Sequence, residues 1–181
     1  LINLGVTAIK TPFTGIVDLD RVALLRDAIG TEIDLAVDAH GPSWMTTSDA
    51  ILVGRELEAF DLLFFEDPVP PENLDAFARV RDAVSVPLAA GERVGTIFGA
   101  RPLIERQLVD VIQPDIGRVG GLTEAKRVVQ FAEDKGVLVV PHCWKSAIGI
   151  AASVHLSAIS PTCSFIEFLP KELAESQLRK D

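Results

Sequence analysis

Apolar and polar positions along the chain follow two alternating periods. Short β-rich runs at 6–10, 34–39, 62–67, 87–92, 110–115 and 138–142 are each followed by a longer stretch with helical spacing. The helical stretches are 18–30, 47–60, 73–84, 98–107, 121–136 and 147–160, and a last short run, 165–168, closes the series. Thr47 or Ser48 is the expected cap of the second helix. The run Leu62, Leu63, Phe64, Phe65 has no polar face, so it reads as a strand buried on both sides, as in parallel sheets. Pro68, Pro70 and Pro71 end it, because proline donates nothing to a ladder. The pattern is βα repeated about seven times, with a period typical of a crossover unit.

Strict βα alternation predicts a parallel sheet, in a barrel or a doubly wound fold. The strand ends favour the barrel. Asp38, Glu66, Glu92, Asp115, His142 and Glu167 fall at the C-terminal ends of successive strands, roughly 23 to 28 residues apart, in phase with the crossover period. A barrel gathers such ends at one mouth, whereas an open sheet strings them out. The expected fold is an α/β, TIM-type (β/α)7β barrel, and one domain is expected over 1–181.

Composition narrows the chemistry. With 181 residues, 48% hydrophobic and 24% charged, the chain can bury a sizeable core. A formal net charge of −9 argues against a nucleic-acid surface and leaves small-molecule chemistry open. No apolar run suits a membrane span and the N-terminus lacks the sections of a signal peptide, so a cytoplasmic protein without membrane attachment is expected. Cys143 and Cys163 are too few for a disulfide framework or a zinc cluster and read as core or loop thiols.

Asp38, Glu66 and Glu92 offer three hard oxygen ligands with no thiolate in the pattern, which suits Mg²⁺ better than Zn²⁺. Asp115, one strand before His142, is placed to hydrogen-bond one ring nitrogen and raise the basicity of the other, giving a general base with an orienting partner. Glu167 lies between apolar neighbours, where desolvation would keep it protonated as a donor; a capped or ion-paired glutamate is the alternative. His40, two residues beyond Asp38, reaches the same side if the strand continues and is a candidate second acid/base group; the alternative is a solvated loop histidine. His155, inside a helix, reads as filler. The glycines of "GRVGG" (117–121) read as a tight turn rather than a phosphate cradle.

Taken together, "VDAHG", "FFEDP", "AAGE", "QPDIGRVGGLTEAKRV", "VVPHCW" and "FIEF" resemble the barrel domain of the mandelate racemase and muconate lactonizing family of the enolase superfamily. The resemblance implies Mg²⁺ ligands at Asp38, Glu66 and Glu92, a His142/Asp115 dyad, an electrophile at Glu167 and a homo-oligomer. It also implies that a first barrel strand and an N-terminal α+β capping domain, usual in the family, are missing from this stretch. One departure narrows the reaction. Racemases of this kind carry a second lysine where this chain has Pro12, in Lys10, Thr11, Pro12. A one-base reaction from His142 is therefore expected. His40 matches the histidine that assists loss of hydroxyl in the family's acid-sugar dehydratases, galactonate dehydratases among them. The implied reaction is β-elimination of water from a sugar acid to a 2-keto-3-deoxy acid. Lys10 would stay as a cation near the substrate carboxylate, with a rim ion pair as the alternative. A cycloisomerase using the same site and a non-catalytic barrel fragment are the competing readings.

Overall fold

In the computed structural model, residues 5–39, 44–144 and 146–167 are described. All strand pairings are parallel, and the six strands follow one another in chain order. Contacts divide the chain into two compact units, Leu1–Ala89 and Ala90–Asp181.

The first unit contains β1 (Ala8–Pro12), α1 (Leu19–Ile29), β2 (Asp34–Asp38), α2 (Thr47–Leu57), β3 (Leu62–Glu66) and α3 (Leu74–Arg81), with the first two residues of β4 (Leu88–Ala90). β1 starts two residues later than the apolar pattern predicts and runs through Pro12, which terminates it opposite Asp38. The all-apolar reading of β3 holds: Leu62, Phe64 and Phe65 are buried, as are Glu66 and Asp67 behind them. Phe65 meets Phe13 edge to face at 6.0 Å between ring centroids. The cap of α2 is Thr46, one residue before the expected pair. Its hydroxyl oxygen accepts the Asp49 N–H at 3.2 Å and donates to Asp49 Oδ2 at 2.7 Å. Arg26 ties the end of α1 to the start of β3, donating to the carbonyls of Phe60, Gly30, Ile33 and Asp61. Its planar fork reaches four main-chain carbonyls at once.

The second unit contains the end of β4, α4 (Thr96–Glu105), β5 (Val111–Ile112), the single turn α5 (Ile116–Val119), α6 (Leu122–Asp134), β6 (Leu138–Val139) and α7 (Ala147–Ser157). Gln113 N–H donates to Ala90 O at 2.9 Å, and β5 pairs with β6. The buried faces of α4 and α6, with Leu103, Ile104, Val128 and Val129, build its core. The closing run 165–168 is not a strand over its described residues 165–167, although Glu167 N–H donates to Pro141 O at 3.2 Å. Cys143 is buried and Cys163 half-buried, and neither forms a disulfide. Among the described residues no helix is long and apolar enough to cross a membrane.

Candidate functional site

Register dictates what meets at the ends of the first strands. Asp38 stands directly opposite Glu66 across β2 and β3, and Lys10 is paired with Ala36, two residues before Asp38. Residues two apart share a face, so Lys10 and Asp38 project to the same side. Lys10 Nζ lies 2.7 Å from Glu66 Oε2 and 3.2 Å from Asp38 Oδ2. Glu66 is fully buried and Asp38 nearly so. Two carboxylates in that setting repel unless a cation stands between them, and Lys10 is that cation here. Behind Glu66 the chain turns sharply at Asp67, whose φ of 44° is a left-handed conformation that aspartate tolerates better than most residues.

A second cluster lies in the second unit. Gly91 turns the chain between β4 and Glu92 with φ 130°, and a Cβ there would come within 2.9 Å of the Gln113 backbone nitrogen. Only glycine fits, and the turn brings Glu92 in beside His142. The dyad forms as expected: His142 Nδ1 is 2.7 Å from Asp115 Oδ2, and both residues are buried. The other Asp115 oxygen accepts the N–H groups of Gly117 and Arg118 at 2.7 and 3.1 Å, capping α5. A carboxylate fixed by two backbone donors has one orientation left to offer the imidazole. His142 Nε2 faces Glu92 Oε2 at 3.1 Å and Glu167 Oε2 at 3.6 Å. Glu167 Oε2 accepts the Cys143 N–H at 3.2 Å.

Two residues of this cluster escaped sequence reasoning. Arg93 Nε and Arg118 Nη1 lie 3.3 and 3.2 Å from Glu92 Oε1. The signal for Arg118 was its spacing of three from Asp115 in "DIGR", one helical turn, inside a stretch read only for its glycines. His40 lies outside the described residues. Among the described residues no group of three or more His, Cys, Asp or Glu side chains is gathered to hold a metal ion. The donor chemistry nevertheless fits a hard divalent cation. Within the first unit, Asp38 and Glu66 converge on one positive charge.

Comparison with known proteins places these residues in context. The family described as "Enolase C-terminal domain-like" matches residues 1–180. A D-galactarolactone cycloisomerase from Agrobacterium fabrum is 38% identical over 146 residues, which is 80% of this chain and 38% of that protein. A D-galactonate dehydratase from Xanthomonas euvesicatoria is 36% identical over 140 residues, 77% of this chain and 36% of that protein. A crystal structure of a mandelate racemase/muconate lactonizing enzyme-like protein from Rubrobacter xylanophilus superposes with a TM-score of 0.86 at 35% identity, covering 92% of this chain and 47% of that one. The chain thus spans little more than a third of the length of these curated relatives.

Proposed function

The chain belongs to the enolase C-terminal domain-like family, and from that premise we propose that it carries the chemistry of a Mg²⁺-dependent acid-sugar dehydratase. The observation that carries the reading is the buried 2.7 Å contact between His142 Nδ1 and Asp115 Oδ2. With its proton on Nδ1 donated to Asp115, His142 keeps a lone pair on Nε2 and can act as a base. His142 removes the proton on the carbon next to the substrate carboxylate. The electron pair left behind passes through an enediolate, forms the double bond to the next carbon and expels that carbon's hydroxyl, which leaves as water with a proton from His40. The resulting enol tautomerises to a 2-keto-3-deoxy acid.

Asp38, Glu66 and Glu92 are the residues that would hold Mg²⁺. When bound, the ion supplies positive charge to a carboxylate that takes on a second negative charge. Glu167 is assigned to the same carboxylate from the other side. Lys10, the counter-ion of Asp38 and Glu66, withdraws toward the substrate. Pro12 cannot move a proton, which supports a single base in place of the opposed pair a racemase needs.

A second reading, cycloisomerisation of a sugar lactone, is favoured by the 38% identity to a D-galactarolactone cycloisomerase. It uses the same base and acids, and its product keeps every oxygen of the substrate. The test is an NMR screen of the intact protein with Mg²⁺ against a stereochemically complete set of aldonic and aldaric acids and their lactones. A 2-keto-3-deoxy product supports dehydration. A product isomeric with its substrate moves the reading to cycloisomerisation. No reaction and no Mg²⁺ binding would leave a non-catalytic barrel fragment.

A further inference from the structure

The Glu92 carboxylate divides its two oxygens between unlike neighbours. Oε2 faces the ring of His142 at 3.1 Å, while Oε1 faces the guanidinium groups of Arg93 and Arg118 at 3.3 and 3.2 Å. Arg93 is the next residue in the chain. Arg118 comes from 26 residues further on, and its Nη1 also donates to the Glu92 main-chain carbonyl at 3.3 Å. One nitrogen therefore grips both the backbone and the side chain of the same glutamate. The backbone N–H of Arg118 donates to Asp115 Oδ1, and the second oxygen of Asp115 meets His142. A single residue of α5 thus joins the partner of the base to the carboxylate on the base's opposite nitrogen.

Stability alone gives a weak reason for this arrangement. The Arg118 side chain is 38% exposed against 4% for Glu92, and a partly solvated guanidinium gains little from Coulomb attraction. What solvent cannot do is select one carboxylate rotamer. We propose that Arg118 is a positioning residue: it holds Oε1 of Glu92 so that Oε2 alone is presented beside His142, and it locks that orientation to the Asp115/His142 dyad through α5. The proposal rests on the reading above, in which Glu92 is a Mg²⁺ ligand, and adds to it the group that orients that ligand.

The sign of the effect separates positioning from charge. Deleting a cation beside a cation site strengthens Mg²⁺ binding by electrostatics, whereas loss of an orienting partner weakens it, typically by about 10- to 100-fold in affinity or activity. The experiment is calorimetric titration of Mg²⁺ into the intact native protein, Arg118→Met, Arg118→Lys, Glu92→Gln and the Arg118→Met/Glu92→Gln double variant, with melting temperatures alongside. Arg118→Met is expected to raise the Mg²⁺ Kd about tenfold, and Arg118→Lys to restore most of the loss. In the Glu92→Gln background the same substitution should change Kd less than about twofold, because its partner has gone. Turnover should show the same split, with kcat lowered and KM for the acid nearly unchanged.

Native-like or tighter Mg²⁺ binding by Arg118→Met would overturn the proposal, as would an equal loss in both backgrounds, which marks a general structural role. A native protein that binds no Mg²⁺ removes the ligand reading of Glu92, and the positioning role falls with it. Should Arg118→Met fail to fold, Arg118→Gln, which keeps a neutral amide donor, is held to the same double-variant comparison.

Discussion

At the scale of single residues, the proposed chemistry rests on two buried carboxylate arrangements, and each has its own test. Asp115 performs two tasks with two oxygens, capping α5 through Oδ1 and orienting His142 through Oδ2. Asp115→Asn keeps a carbonyl oxygen for the cap and replaces the acceptor at His142 with an amide donor, which forces the ring proton onto Nε2. Turnover should fall by about 10²-fold or more, measured against a melting temperature that changes little. Lys10 gives the complementary test. Lys10→Met removes the ammonium shared by Asp38 and Glu66, so the melting temperature in EDTA should drop by the equivalent of about 3 kcal/mol. Added Mg²⁺ should raise it more in the variant than in the native protein, because the ion then replaces the ammonium. Equal Mg²⁺ shifts in the two proteins would argue against a metal at these carboxylates. The strand-end acids and the dyad were legible in the sequence because they recur with the βα period. Arg93 and Arg118 were not, because the direction in which a guanidinium reaches is not written in its spacing along the chain.

At the scale of elements, the apolar patterning placed every helix of eight residues or more and missed at their ends. Caps are set by one hydrogen bond each, so Thr46 could displace Thr47 and Ser48 without altering the pattern that follows. The run 165–168 has strand-like composition, yet composition does not supply a neighbour with a matching ladder. A testable link between elements is Glu124 of α6, which accepts the Ile97 N–H at the start of α4 at 2.9 Å and pairs with Arg127 at 3.1 Å. The Ile97 N–H holds the Glu124 carboxyl below its usual range, against an upward push from burial, and Arg127 adds a lesser downward pull. A depressed carboxyl stabilises the fold above its unfolded pKa and loses that contribution as pH falls through the folded value. Glu124→Gln should therefore melt below the native protein at pH 7, and the gap should narrow as the pH is lowered through the carboxylate range. A gap independent of pH would mean that the Ile97 hydrogen bond, rather than the charge, carries the effect.

At the scale of the molecule, the sequence resemblance and the family match agree on an enolase C-terminal domain-like chain, whose described residues form six parallel strands where the apolar pattern offered seven runs. One unit presents Lys10, Asp38 and Glu66, and the other presents Glu92, Asp115, His142 and Glu167. Substrate choice was not legible, because neither strand-end chemistry nor βα periodicity encodes the shape of a sugar, and this chain spans only part of the length of its relatives. The central claim is narrower: His142 removes the proton next to a carboxylate. The most direct measurement is loss of the C2-proton NMR signal from the reacting sugar acid in D₂O with Mg²⁺, followed for the intact native protein and for His142→Asn under matched conditions. The account predicts loss of that proton with the native protein and none with His142→Asn, while His142→Asn still binds Mg²⁺ because His142 is not among the proposed ligands. C2-proton loss at the native rate in His142→Asn would contradict it.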